Sequence, residues 1–213
     1  MVNQIPLGYE APLFTLKDQN NENVHLEDFM GKNVLLSFHP LAWTQICTEQ
    51  MNRLDVRMEL FEKLDTIPFG ISVDSVPSKK AWAKEIAIEN LRLLSDFWPH
   101  GAVADKYGVL RSDGTSERAI FVIDKSGIIR YIDVHDINER PSLDTLVAEL
   151  DKLEGLRAPV EVSNHNPRWP EQAWPRLRLG AARRDRRRPF VVVGTYHSLS
   201  SARFLSILDR VQP

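Results

Sequence analysis

Residues 33–51 read NVLLSFHPLAWTQICTEQM and contain the transition that decides the fold. The segment NVLLSFH (33–39) is apolar along most of its length and is followed by Pro40, a pattern typical of a strand buried on both faces of a sheet. From Thr48 the apolar residues recur at spacings of three and four, which predicts an amphipathic helix. The residues with this spacing are Met51, Leu54, Met58 and Phe61.

The rest of the chain extends this strand–helix unit into a mixed α/β sheet. Two short strands around DQNNEN precede residue 33, and PFGISVD (68–74) and LRLLSD predict two further buried strands. A helix is expected from Pro77, with Ser78 as its cap. RAIFVID and GIIRYIDV predict a hairpin closed by KSG, and PSLDTLVAELDKL predicts a final helix. The order predicts a central mixed sheet with helices on both faces.

Charge divides the chain near Gly155. Residues 156–213 contain 11 arginines, no lysine and four acidic residues, a net charge of +7, whereas residues 1–155 contain 16 basic and 25 acidic residues, a net charge of −9. This change predicts a body, 1–155, and an Arg-rich C-terminal extension, 156–213. Three interpretations of the extension stay open: electrostatic binding to nucleic acid or another anionic surface, which is disfavoured; a poorly ordered or packing segment; or non-native coding sequence.

Composition limits the classes of chemistry. The chain has one cysteine, Cys47, which excludes an internal disulfide and any multi-cysteine metal site. No apolar run is long enough to span a bilayer, and the N-terminal residues lack a secretory signal pattern. Because an unpaired thiol is typical of a reducing compartment, we expect a cytoplasmic protein.

Cys47 follows a predicted buried strand, where sites form in α/β sheets, and lies at the predicted start of a helix. The amides at a helix N-terminus favour the thiolate, which is the reactive form of cysteine. Pro40 stiffens the turn that leaves the strand, and Thr44, three residues before Cys47, is expected to bring its hydroxyl near the sulfur. A thiolate with such neighbours suits attack on an O–O bond, which converts the cysteine to a sulfenic acid.

Three segments resemble the peroxiredoxin family, of the alkyl hydroperoxide reductase and thiol-specific antioxidant type. The active-site pattern P-x-x-x-T/S-x-x-C is matched by Pro40, Thr44 and Cys47. LLSDFWPHGAVADKYGVL resembles the family segment LLSD…VAKAYGV, and ERAIFVIDKSGIIRY resembles its arginine-plus-hairpin segment. The resemblance covers roughly residues 3–153, with the three motifs in order.

The resemblance implies a thioredoxin-like fold and thiol-dependent reduction of hydrogen peroxide or organic hydroperoxides. It makes Cys47 the peroxidatic nucleophile and implies that Thr44 orients the peroxide. Pro40 would shield the thiolate, and Arg118 would hold the thiolate and polarise the peroxide. No cofactor is expected beyond an external thiol, supplied by a thioredoxin- or glutaredoxin-like protein or a low-molecular-weight thiol, because no second cysteine exists for a two-cysteine cycle.

The sequence departs from the family pattern at two positions. Many members have glutamate three residues after the cysteine, where this chain has Gln50, and an aromatic residue before the proline, where it has His39. For His39 the favoured interpretation is a hydrogen-bonded histidine near the pocket, and the alternative is a proton-handling role. Trp43 is interpreted as pocket wall or dimer surface, and Phe97 and Trp98 are interpreted as core or interface. A homodimer is expected.

Alternatives from other classes are weighed on particular residues. Cys47 alone would be read as an inert buried thiol, but Pro40, Thr44 and Arg118 argue against that. A dithiol oxidoreductase needs C-x-x-C, and its first position is occupied by Thr44. A redox-inactive binding or regulatory module on the same scaffold stays open. Asp74 and Asp96 could resemble metal ligands, but no histidine cluster accompanies them, so no metal is expected.

Overall fold

A computed structural model describes residues 5–155 of the chain. The predicted extension, 156–213, lies outside the described residues, so the boundary near Gly155 and the three interpretations of the extension stay predictions. Within the described part, the strands are β1 (Thr15–Lys17), β2 (Asn23–His25), β3 (Asn33–Phe38), β4 (Thr66–Ser72), β5 (Arg92–Ser95), β6 (Arg118–Ile123) and β7 (Ile129–His135). The helices are α1 (Gln45–Asp55), α2 (Met58–Lys63), α3 (Val76–Glu85), α4 (Ala102–Lys106) and α5 (Leu143–Gly155), with a 3₁₀ turn at Leu26–Phe29.

The seven strands form one mixed sheet in the order β2-β1-β5-β4-β3-β6-β7. Strands β3, β4 and β5 are parallel, whereas β6 runs antiparallel to β3 and pairs Phe38 with Ala119. The carboxyl ends of the three parallel strands therefore lie at the same edge of the sheet as the start of β6. This topology confirms the predicted mixed sheet and brings Arg118 beside the end of β3.

Both faces of the sheet are covered, which explains why every residue of β3 is buried. Val34, Leu36 and Phe38 point into a core that also contains Val103 and Ala104 of α4. Leu35 points to the opposite core, which contains residues of α1, α2, α3 and α5. The continuous apolar run of β3 follows directly from this two-sided burial.

Helix α1 lies close to the sheet at Gly70 on β4. A Cβ placed on Gly70 would be 2.4 Å from Met51 Sδ and 2.9 Å from Leu93 Cδ2. A side chain at this position would therefore have to displace the ends of Met51 and Leu93, and glycine avoids that displacement where α1 crosses β4.

The helix predicted as continuous from Thr48 through Phe61 is in fact two helices. Helix α1 already begins at Gln45 and ends at Asp55, and α2 begins at Met58. The carboxylate of Asp55 accepts hydrogen bonds from the backbone N–H groups of residues 89–91, at 2.7 to 3.1 Å, which ties the end of α1 to the loop before β5. The apolar face is nevertheless shared, because Met51, Leu54 and Phe61 are all buried in one core.

The cap predicted for α3 is wrong by three residues. Ser75 is the N-cap, and its Oγ accepts a hydrogen bond from the backbone N–H of Ser78 at 3.5 Å. Pro77 then occupies the first turn, where its missing N–H costs no helical hydrogen bond. The proline signal was correct for the start of a helix, but the capping serine lies before it.

Candidate active site

Cys47 lies in the first turn of α1 with its side chain completely buried. Thr44 is the N-cap of this helix, with φ −91° and ψ 148°, so Cys47 is the third helical residue. A sulfur at this position lies near backbone N–H groups that have no partner within the helix. Such an environment favours the negatively charged thiolate over the thiol.

Arg118 is buried at 2% exposure and points its guanidinium at Cys47. Nη1 and Nη2 each donate to Sγ at 3.6 Å. Nε and Nη2 also donate to the carbonyl oxygen of Ile137, at 3.1 and 2.8 Å, which fixes the plane of the guanidinium. Among the described residues, no carboxylate forms an ion pair with Arg118.

The contact between Arg118 and Cys47 joins α1 to β6, which the antiparallel pairing of β6 with β3 brings to the same edge of the sheet. A buried cation without an anionic partner is costly, and an anion within hydrogen-bond distance would compensate part of that cost. The position of the sulfur beside the guanidinium is therefore suited to a thiolate.

Gln50 replaces the carboxylate that many peroxiredoxins carry one turn after the cysteine. Its side-chain Nε2 donates to Ser37 Oγ at 2.7 Å, which assigns its Oε1 as the acceptor of a short hydrogen bond from Arg118 Nη1. The amide thus orients the guanidinium without neutralising it. Gln50 therefore adds no negative charge beside Arg118.

Pro40 and Thr44 flank the loop that precedes α1. Pro40 is buried directly after His39, whereas Thr44 is exposed and its Oγ1 donates to the carbonyl of Leu41 at 3.2 Å. No hydrogen bond joins Thr44 to Cys47 within residues 5–155, so the orientation of a peroxide by Thr44 stays a prediction. Trp43, between them, has φ 68°, a left-handed conformation that is rare for a bulky residue and is typical of functional loops.

The favoured prediction for His39, a hydrogen-bonded ring, is not confirmed. The side chain is completely buried, and neither Nδ1 nor Nε2 has a hydrogen-bond partner among the described residues. The ring instead packs against Trp82, with 5.5 Å between ring centroids. Burial, together with the positive charges of Lys79 and Arg118, lowers the pKa of His39 well below its ordinary value, so the ring is neutral at physiological pH.

Sequence reasoning missed Lys79. This lysine is completely buried on α3, and its Nζ donates to Ser72 Oγ at 2.7 Å. Burial lowers its pKa to about 7, against the opposing effects of Asp74, Cys47 and Asp96. The available signal was helical spacing, because Lys79 lies three and four residues before the buried Trp82 and Ala83 and therefore on the same face of α3.

The aspartates that could resemble metal ligands serve as hydrogen-bond acceptors. Asp74 Oδ2 accepts from the backbone N–H of Ala42 at 2.8 Å and from Ser72 Oγ at 2.6 Å. Asp96 accepts from the backbone N–H groups of Val103 and Ala104 at the start of α4. No group of three or more histidine, cysteine or acidic residues suited to a metal occurs in the described part of the chain.

The aromatic residues of the loops at this edge are on the surface. Trp98 is 82% exposed and Phe97 52%, so the interpretation of these two residues as core is wrong, and Trp43 is 54% exposed. Trp43 Nε1 donates to Ser78 Oγ at 3.2 Å, which joins the loop before α1 to α3. The interpretation as pocket wall or partner surface remains.

Comparison with known proteins agrees with the geometry. The model of the AhpC/TSA family matches residues 7–132. The chain belongs to the AhpC/TSA family. Alkyl hydroperoxide reductase E of Mycobacterium tuberculosis (strain H37Rv) is 44% identical over 135 residues, which is 62% of this chain and 88% of the relative. A chloroplastic 2-Cys peroxiredoxin of Hordeum vulgare is 35% identical over 170 residues, covering 74% of this chain and 80% of the relative.

Solved structures give the same result for the fold. The reduced 2-Cys peroxiredoxin of Plasmodium vivax matches with a TM-score of 0.65 and 32% identity, covering 70% of this chain and 82% of that one. The thioredoxin-like fold and the peroxiredoxin resemblance are thereby confirmed. As a member of this family, the chain is an oxidoreductase of the thiol-dependent peroxidase type, and the comparisons give no support to a redox-inactive binding module.

No helix in residues 5–155 has the length and apolar character needed to cross a membrane.

Proposed function

We propose that the chain reduces hydrogen peroxide or organic hydroperoxides by a one-cysteine mechanism in which Cys47 is the peroxidatic residue. The observation that carries the proposal is the buried guanidinium of Arg118, which has both Nη atoms 3.6 Å from Sγ and no carboxylate partner among the described residues. Such a site favours an anion at the position of the sulfur. A thiolate held there is an activated nucleophile.

The first half-reaction oxidises the sulfur by two electrons. The thiolate attacks one peroxide oxygen, an S–O bond forms, the O–O bond breaks, and the leaving alkoxide or hydroxide takes up one proton to give an alcohol or water. Arg118 faces the sulfur and is proposed to stabilise charge on the reacting oxygens. Pro40 would exclude water from the thiolate, and the exposed hydroxyl of Thr44 would bind the incoming peroxide.

The second half-reaction requires thiols from outside the chain, because the 213 residues contain no second cysteine. One external thiol condenses with the sulfenic acid and releases water, and a second thiol then reduces the mixed disulfide and restores Cys47. The donor would be a thioredoxin- or glutaredoxin-like protein or a low-molecular-weight thiol, and no other cofactor is proposed. Relatives such as that of Hordeum vulgare are named 2-Cys peroxiredoxins, so the single cysteine is a departure from them.

The proposal is tested by reacting the reduced protein, dialysed against a chelator, with one equivalent of peroxide. We expect rapid conversion to a species heavier by one oxygen atom, accompanied by a change in tryptophan fluorescence, because Trp82 contacts Thr48, the residue after Cys47, and Trp43 lies in the loop before α1. Added thiols should then restore the original mass. A reaction no faster than that of an unactivated thiol would contradict the proposal.

Gln50 provides a separate prediction. Gln50→Glu would place a carboxylate against Arg118, where it would compete with the thiolate for the same positive charge. We expect the pH at which half of the thiol is ionised to rise by about one unit, because the added carboxylate repels the thiolate and interacts with the same guanidinium. The measurement is thiolate absorbance against pH.

The matched control is Gln45→Glu, which adds the same charge at an exposed position of the same helix. If the thiols of Gln50→Glu and Gln45→Glu have the same midpoint of ionisation, the amide of Gln50 does not control how strongly Arg118 stabilises the thiolate of Cys47.

We infer a homodimer in a reducing compartment, with the cytoplasm as the expected location. The exposure of Trp43, Phe97 and Trp98, each more than half accessible, supports a partner interface, since large exposed apolar patches on a soluble protein commonly mark interaction sites. The unpaired thiol supports the compartment. Sedimentation of the protein as a monomer at micromolar concentration would contradict the dimer, and recovery from an oxidising compartment on cell fractionation would contradict the location.

A further inference from the structure

The described part of the chain buries a second basic side chain besides Arg118. Lys79 is completely buried on α3, a state that lysine almost never adopts unless it is paired. Among the described residues, the one hydrogen-bond partner of its Nζ is the hydroxyl of Ser72, at 2.7 Å, at the end of β4. No step of the proposed peroxide reduction uses this lysine, so its burial needs a separate explanation.

Lys79 is connected by hydrogen bonds to the loop before Cys47. Ser72 Oγ accepts from Lys79 Nζ and gives its own hydrogen to Asp74 Oδ2, at 2.6 Å. The same Oδ2 accepts from the backbone N–H of Ala42, at 2.8 Å. Since Ala42 lies between Pro40 and Thr44, the chain of hydrogen bonds holds the segment that would shield the thiolate and bind peroxide.

The charge of Lys79 also interacts with that of Cys47. Burial lowers the pKa of Lys79 to about 7, and the negative charges of Asp74, Cys47 and Asp96 oppose that effect. Within residues 5–155, His39 is a further titratable neighbour, and burial together with the charge of Lys79 lowers its pKa so that it is neutral. Because electrostatic coupling is reciprocal, a charge on Lys79 that is favoured by the thiolate must itself favour the thiolate.

We propose that Lys79 is a positioning residue of the thiol site, which holds the Pro40–Thr44 loop through Ser72 and Asp74 and, through this position, favours the thiolate of Cys47. The inference rests on the proposed function of Cys47 and extends it. It gives the site two cations of different kinds. An arginine supplies a fixed positive charge, whereas burial lowers the pKa of Lys79 to about 7, so that its charge depends on pH near neutrality.

Two substitutions separate the charge of Lys79 from its hydrogen bond. Lys79→Gln removes the charge but keeps a donor for Ser72, whereas Lys79→Met removes both. The matched control is Lys80→Met, which neutralises the neighbouring exposed lysine on the same helix. All three full-length variants are compared with the unaltered protein by thiolate absorbance against pH, a titration that needs no peroxide.

We expect the midpoint of thiolate formation to rise by about one pH unit in Lys79→Gln and Lys79→Met and to stay unchanged in Lys80→Met. Peroxide reaction should slow about tenfold at pH values below the midpoint. The deficit should shrink above the pKa of Lys79, about 7, because the lysine of the unaltered protein is then neutral as well. In Lys79→Met a residual deficit at high pH is expected from the lost support of the loop.

Stability against pH provides a second readout. The pKa of Lys79 is about 7 in the folded chain against an ordinary value of 10.5, so the unfolded chain binds more protons between these values. The resistance of the unaltered protein to denaturant should therefore rise from about pH 7 towards pH 10.5, and Lys79→Met should remove that rise. Below pH 7, Lys79→Met should melt at a higher temperature, because it no longer buries a charge.

An unchanged thiolate midpoint in both Lys79→Gln and Lys79→Met would overturn the inference. Failure of the proposed function gives a different pattern. In that case the Cys47 thiol of the unaltered protein ionises in the titration, but reaction with peroxide gives no sulfenic acid. A rise in melting temperature together with a slower peroxide reaction would distinguish a functional lysine from a merely structural one.

Discussion

Replacing Cys47 with serine is expected to abolish peroxide reduction, with a loss of at least about a thousandfold, because a serine hydroxyl is not ionised and does not attack an O–O bond. The remaining geometry would stay in place, since the change replaces one atom of a completely buried side chain. Cys47→Ser should therefore form no oxygen adduct by intact mass, and it should show no turnover with external thiols. It should also lack any thiol reactivity, since the chain would then contain no cysteine.

The control is Thr48→Ser, which alters the next residue of α1 but keeps the hydroxyl that accepts a hydrogen bond from Trp82 Nε1. This variant should react with peroxide like the unaltered protein. Circular dichroism and thermal unfolding of both variants establish that the helix forms. Continued turnover by folded Cys47→Ser would show that the reaction does not pass through the sulfur, and the proposed mechanism would be discarded.

Much of the fold could be predicted because local pattern and burial agree. The apolar run of β3 predicts burial on both faces, and the spacing of Met51, Leu54 and Phe61 predicts the buried face of α1 and α2. The break between these helices could not be predicted, because it depends on the Asp55 carboxylate meeting a loop 34 to 36 residues away. The spacing of apolar residues indicates which face of a helix is buried, but it does not indicate where hydrogen bonds from distant segments end the helix.

In the candidate site, too, some features could be predicted from the sequence and others depend on distant contacts. Arg118 and Cys47 are 71 residues apart, and only the antiparallel pairing of β6 with β3 explains why they meet. The motif resemblance supplied Arg118, which composition and spacing alone would have left as a surface residue. The complete burial of Lys79 and His39 could not be predicted, because it depends on which loops meet at the carboxyl ends of β3, β4 and β5. Whether a polar group finds a partner there is decided by the packing of several elements together.

Replacing Arg118 with methionine is expected to slow the reaction with peroxide by about a hundredfold to a thousandfold, the range observed when a preorganised donor to developing charge is removed. Two effects combine. The thiolate loses both Nη donors at 3.6 Å, so the midpoint of thiolate formation should rise. The reacting oxygens lose a fixed positive charge, so the rate should stay low even where the thiol is fully ionised.

Measuring the rate across pH separates these two effects, because a deficit that persists at high pH reports on the transition state alone. Arg118→Lys should restore the midpoint in part but not the full rate, since one ammonium cannot serve Cys47, Gln50 and the Ile137 carbonyl in the planar geometry of a guanidinium. The matched control is Arg130→Met, which removes an exposed arginine of the neighbouring strand β7. If Arg118→Met reacts as fast as Arg130→Met at every pH, the buried guanidinium serves only to fill the core, and the thiolate must be stabilised by other groups such as Lys79 and the amides of α1.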